Sequence, residues 1–92
     1  MTTNKYNTLS GRASILCVGY VECVRKIEEY TIDLMNGHSD SAILLSVARQ
    51  RRDDCLEQLV QLETLAIDTL SNSEYARYFR YVSVMLSPLT EH

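Results

Sequence analysis

The stretch Leu34-Met35-Asn36-Gly37-His38-Ser39-Asp40-Ser41 stops one long helical pattern and starts another with almost nothing between them. It constrains the fold more than any other part of the chain. Gly37 supplies the left-handed residue that closes a helix. Ser39 is suited to cap the next one, with the Asp40 carboxylate at the positive end of its dipole. A turn this short admits only an antiparallel hairpin.

Counting outward from the corner gives the seam of each arm. In the first, Ala13, Cys17, Tyr20, Val24, Ile27, Thr31 and Leu34 advance by alternating fours and threes; in the second, Leu45, Ala48, Arg52, Cys55, Leu59, Leu62 and Ala66 do the same. Three heptads of that spacing describe long helices packed along one another, as in a coiled coil. Folding at Gly37 sets Ile27 opposite Ala48, Tyr20 opposite Cys55, Cys17 opposite Leu59 and Ala13 opposite Leu62, so that small faces large at several layers. A second corner follows at Ser71-Asn72-Ser73-Glu74, where a serine and a glutamate three residues on form a capping box, with Leu70 and Tyr75 as its hydrophobic staple. The third segment has its stripe at Tyr75, Phe79, Val82 and Leu86, and Pro88 ends it. The expected fold is all-α within a single domain: a hairpin of helices over about 10–36 and 39–70, a shorter helix over about 72–86, and loose tails at 1–8 and 88–92. Thr8 or Ser10 is expected to cap the first helix.

Composition narrows the class further. Three glycines and one proline are too few for the turns of an all-β chain. A net charge of −3 provides no general attraction to nucleic acid or to an anionic membrane. The three cysteines cannot all pair, and Cys17 and Cys23 lie on different helical faces, so a reducing, cytoplasmic setting is the simplest reading. The apolar run Ala13–Val21 leads straight into Glu22, Arg25 and Lys26; neither an export signal nor a membrane span is expected from it.

Catalytic chemistry finds no footing. His38 sits in a turn and His92 at the end of the sequence, the cysteines lack zinc spacing, Glu28-Glu29 and Asp53-Asp54 are sequence neighbours pointing to different faces, and no Gly-rich phosphate loop occurs. No catalytic, metal or cofactor-binding residue is assigned, and no small-molecule substrate. The run Arg49-Gln50-Arg51-Arg52-Asp53-Asp54 reads as a solvated face whose charges cancel, with Arg49 and Asp53 four apart. Arg52 falls on the seam, where pairing with Glu22 would set register. Tyr75, Arg77, Tyr78, Phe79, Arg80 and Tyr81 interleave aromatics with arginines. Tyr75 and Phe79 are expected to pack inward, with Tyr78 and Tyr81 on a rim of the kind protein interfaces favour; nucleic-acid stacking is the weaker reading.

The informative surplus is apolar. Beyond the seam, the arms carry Ile15, Val18, Val21, Ile32, Val47, Leu56, Val60 and Ile67, among others. One hairpin cannot bury them all, and each left in water forgoes roughly 1.5–3 kcal/mol. A third helix of about 15 residues spans only about half of arms some 40–48 Å long. The remainder calls for a helical partner chain or a second copy, against the alternative of a self-sufficient three-helix bundle. The expected contact residues are Val18, Val21, Ile32, Leu56, Val60 and Ile67, with Tyr78 and Tyr81 behind them.

The layout from Gly19 to Leu70 resembles the small helical-hairpin co-chaperones of bacterial type III secretion needles (YscE/SsaE-like). The likeness lies in the corner Leu34–Asp40 and in a second helix bearing Arg and Glu with Leu56, Leu59, Ile67 and Leu70. The Tyr-rich segment after Leu70 departs from that pattern. The resemblance implies a cytoplasmic, non-enzymatic chaperone that joins a second helical chaperone and keeps a needle subunit soluble. Rival classes are a small acidic inhibitor or immunity-type protein and a homodimeric regulator.

Overall fold

The computed structural model describes residues 5–89. Helix α1 spans Lys5–Met35, α2 Ser41–Thr69 and α3 Asn72–Leu86, and a 3-10 turn, Ser87–Leu89, follows. α1 and α2 form the expected hairpin and α3 is the shorter third helix. The main departure in extent is at the start: α1 begins at Lys5, so Lys5–Thr8 is helix rather than tail. Thr8 and Ser10 are interior positions rather than caps, and the Ser10 hydroxyl donates to the Asn7 carbonyl at 3.3 Å. The tails expected at 1–4 and 90–92 lie outside the described residues.

The corner closes as a Schellman motif. Gly37 has φ 90°; its N–H donates to the Leu34 carbonyl at 3.0 Å, and the His38 N–H reaches Asp33 at 2.9 Å. Those two bonds satisfy carbonyls that the end of α1 would otherwise leave orphaned. The start of α2 differs from expectation. Asp40 occupies the cap position in a helical conformation and makes no side-chain capping bond, and Ser39 does not cap either. The chain winds in through tight turn bonds instead, Ser41 N–H to His38 and Ala42 N–H to Ser39 at 3.0 and 3.1 Å, so a side-chain acceptor is not needed there. The second corner is as expected. Leu70 is extended, the Ser71 hydroxyl accepts from the Glu74 N–H at 3.3 Å, and the Glu74 carboxylate accepts from the Ser71 N–H at 3.2 Å.

Small residues bring the hairpin together. Ala13, Cys17 and Ala66 are wholly buried, in one cluster with Leu9, Leu59, Leu62, Leu70 and Tyr78. Further along, a Cβ placed on Gly19 would lie 3.3 Å from the Cys55 sulfur. That approach places Cys55 against Gly19, one residue from the Tyr20 anticipated. Arg52 does not reach Glu22. Its guanidinium bonds the adjacent Asp53, with Nε and a terminal nitrogen each 3.0 Å from one carboxylate oxygen. Arg52 is only partly shielded, so a solvated neighbouring carboxylate satisfies it. Elsewhere in that run Gln50 donates to Asp54 at 3.0 Å.

α3 lies mainly against the first half of α1 and only lightly against α2. Its 15 residues reach about 22 Å at 1.5 Å per residue, so the corner half of the hairpin has no third layer. The molecule measures 56 × 24 × 18 Å, with a radius of gyration of 16.1 Å, against about 12 Å for a compact chain of this length. It exposes 6570 Å², where a compact protein of its mass exposes about 5,400 Å².

The two corners make a direct comparison. Ser71→Ala removes the capping box and is expected to cost about 1 kcal/mol, a fall in Tm of about 4–8 °C. Ser39→Ala removes no cap and is expected to stay within about 0.5 kcal/mol. Thermal denaturation of the two variants checks both.

Candidate interaction surface

The orientation of α3 determines which apolar residues remain open. One edge of α3 faces α1: the Arg77 guanidinium stacks over the Tyr6 ring at 4.4 Å, and Arg80, Tyr81 and Val84 flank the same shallow depression of about 320 Å³. The opposite edge carries Phe79, with Tyr75, Val82 and Leu86 half-buried between it and the core. On α2 the stripe facing it is Leu56, Val60, Glu63, Ile67 and Leu70, again alternating fours and threes. Its Glu63 lies close enough to raise the Tyr78 phenol's pKa. Because α3 touches α2 so lightly, this shared edge stays open: Leu56 is 47% exposed, Val60 59%, Ile67 57% and Phe79 56%.

The eight residues expected to make contact divide accordingly. Leu56, Val60 and Ile67 come together on the open α2 edge. Val18 and Ile32 are exposed too, but on the outer side of α1 and fourteen residues apart, so they belong to no common patch with the first three. Two expectations are corrected. Val21 is buried, four residues beyond the buried seam residue Cys17 on α1, and so is closed to a partner. Tyr78 is the most buried residue of α3, at 2% exposure, and packs into the main core rather than on a rim. Tyr81 is half-buried beside Tyr6.

Phe79, expected inside, is outside, while Tyr75, Val82, Met85 and Leu86 pack against the core with Tyr78. Three of the four expected stripe residues, Tyr75, Val82 and Leu86, thus pack inward, and Tyr78 with Met85 takes the place expected of Phe79. Tyr75 remains in loose aromatic contact with Phe79, their ring centroids 6.5 Å apart. No periodicity argument separates the two rows, because both are apolar.

Charge marks the open edge. From Asp53 to Leu70, α2 carries Asp53, Asp54, Glu57, Glu63 and Asp68 and no basic residue. The surface around Leu56, Val60 and Ile67 is therefore acidic as well as apolar. That segregation is visible in the sequence once each arm is divided in half.

The thiols are free. Cys17 and Cys23 are buried and Cys55 is partly exposed. Burial pushes the Cys17 thiol up from its ordinary value. It does the same for Cys23, where Cys55 adds to the rise, Arg51 opposes it, Glu22 supports it and Arg52 again opposes it. Burial likewise raises the Tyr78 phenol, with Cys17, Glu63 and Tyr75 adding to the shift. Such thiols behave as small core residues rather than nucleophiles.

Among the described residues no three His, Cys, Asp or Glu side chains gather as a metal site, and no helix is long and apolar enough to cross a membrane. No protein-family model matches the chain, and no curated protein or solved structure matches it.

The raised values set the direction of a pH dependence. A group held protonated by the fold contributes stability fully present below its unfolded pKa, near 8.5 for a thiol, and lost as pH rises through the folded value. Stability is therefore expected to fall above about pH 8.5, and Cys17→Ala should flatten that slope. Denaturant titrations from neutral to alkaline pH check it. At neutral pH a thiol-reactive dye is expected to label Cys55 well before Cys17 or Cys23.

Proposed function

We propose that this chain is a small non-enzymatic interaction module, chaperone- or co-chaperone-like, whose open α2–α3 edge holds an amphipathic helix of a partner protein. The observation that carries the proposal is the lean of α3 onto α1. It leaves Leu56, Val60, Ile67 and Phe79 about half exposed along one edge while the core behind them is complete. An apolar strip along the edge of a helix pair suits the apolar face of an amphipathic helix. The carboxylates Asp53, Glu57 and Asp68 beside it favour a partner helix with basic flanks.

The resemblance to type III secretion needle co-chaperones fits this reading. It suggests a secretion subunit or a fellow chaperone as the partner and the cytoplasm as the setting. A homodimeric regulator or an acidic inhibitor would use the same edge on a different occupant. The acidic flank is compatible with an inhibitor of a basic protein, and the partner's identity separates these.

A leucine-striped, lysine-flanked helical peptide of about 20 residues, ~30 Å long, is a direct probe. The full chain is expected to bind it, with affinity falling as salt rises. The double variant Val60→Asp, Ile67→Asp is expected to lose binding while keeping its far-UV helicity. If that variant lost all helicity, Val60 and Ile67 would belong to the core instead.

A further inference from the structure

On the side of the hairpin away from α3 lies a second, shallow groove, mainly apolar toward its two ends and lined by no α3 residue. Arg12, Leu16, Gly19, Cys23, Lys26 and Tyr30 follow one stripe of α1 at alternating fours and threes. Leu44, Val47, Arg51, Gln58 and Leu65 keep the matching stripe of α2. Between them are three shallow depressions, of about 380 Å³ around Leu9 and Leu65, 160 Å³ around Leu16 and Leu65, and 290 Å³ around Leu44 and Val47. The first two share Arg12 and Leu65. Arg12 and Tyr30, at the two ends of this row of depressions, are about 27 Å apart along α1, the length of an 18-residue helix. Leu65, Leu44 and Val47 are each more than 40% exposed in it.

The charge here is the reverse of the other face. Lys5, Arg12, Lys26 and Arg51 line the groove, and Glu22 is the one carboxylate among its lining residues. Lys5, Arg12 and Arg51 form no ion pair with another described residue. Lys26 makes a long, exposed pair with Glu29 at 3.9 Å and sits 5.9 Å from the centre of the Tyr30 ring. Lys5, Arg12 and Arg51 are thus free to meet carboxylates from outside, and apolar depressions with cationic walls suit an amphipathic helix of acidic flank.

We infer that this groove is a second docking surface, taking an acidic amphipathic helix from a partner chain. The hairpin would then hold two helical partners of opposite charge on opposite sides. The inference stands apart from the α2–α3 edge, since the two faces share no lining residue.

The test uses two leucine-striped helical peptides of about 20 residues, one flanked by glutamate and the other by lysine, titrated into the full chain by fluorescence anisotropy. The glutamate peptide is expected to bind, to weaken with added salt, and to lose at least about tenfold in affinity on Arg12→Glu, Arg51→Glu. The Val60→Asp, Ile67→Asp variant is expected to bind it unchanged. Failure of the glutamate peptide to bind overturns the inference. So does unchanged binding of the glutamate peptide to the Arg12→Glu, Arg51→Glu variant, or loss of glutamate-peptide binding on Val60→Asp, Ile67→Asp. Concentration-dependent self-association that Arg12→Glu, Arg51→Glu abolishes would overturn it too, by assigning the groove to the acidic edge of a second copy. Should the arginine variant prove unfolded by circular dichroism, the preference of wild type for glutamate over lysine peptide, measured in the presence of saturating unlabelled lysine peptide, decides the matter alone.

Discussion

The close approach of α1 and α2 over small residues is the contact on which the rest of the molecule depends. Ala13, Cys17 and Ala66 are fully buried, and Gly19 brings the backbone of α1 to within 3.3 Å, at its missing Cβ, of the Cys55 sulfur. Helices that meet over small side chains leave their larger apolar neighbours on the two sides of the contact. α3 covers part of one side, inserting Tyr78 against Cys17, Ala66 and Leu59. Being 15 residues long and tilted onto α1, it covers neither the α2 edge nor the corner half. The uncovered surface is a geometric consequence of unequal helix lengths as much as of composition.

Charge then distinguishes the two uncovered sides. Carboxylates cluster on the second half of α2, and cations from both arms line the opposite groove. In each place the charges flank leucine and valine side chains. Most of these charges make no ion pair among the described residues, and exposed pairs would contribute little to stability in any case, so the segregation is not a product of what holds the fold together.

The fold was legible in the sequence wherever its causes are local. Gly37 closes a helix because its own backbone reaches φ 90°, and Ser71 with Glu74 caps one because both partners lie within three residues. The seam was legible because a period of alternating fours and threes over three heptads has few other uses. Ser39 was misread as a cap because the turn could satisfy its N–H groups through backbone bonds to His38 and Ser39 themselves. Val21, Tyr78 and Phe79 were misplaced for a different reason. α1 and α3 each carry two adjacent apolar rows, and the row that faces inward is chosen by how α3 crosses the hairpin, a tertiary angle that no single helix encodes. Arg52 was assigned to Glu22 across the seam, whereas the neighbouring Asp53 offered a carboxylate at no cost in desolvation. Of the candidate site, the α2 triplet Leu56, Val60 and Ile67 was readable from spacing. Its fourth member Phe79 and the cationic groove were not.

The central claim is that the α2–α3 edge is a docking face ready in the folded chain. Amide hydrogen exchange on the full chain, free and loaded with a lysine-flanked amphipathic helix, tests it most directly. Added protection is expected along α2 from about Leu56 to Leu70 and along α3, with the corner at Asn36–Asp40 exchanging as before. Protection confined to the corner, or no change on loading, would contradict it.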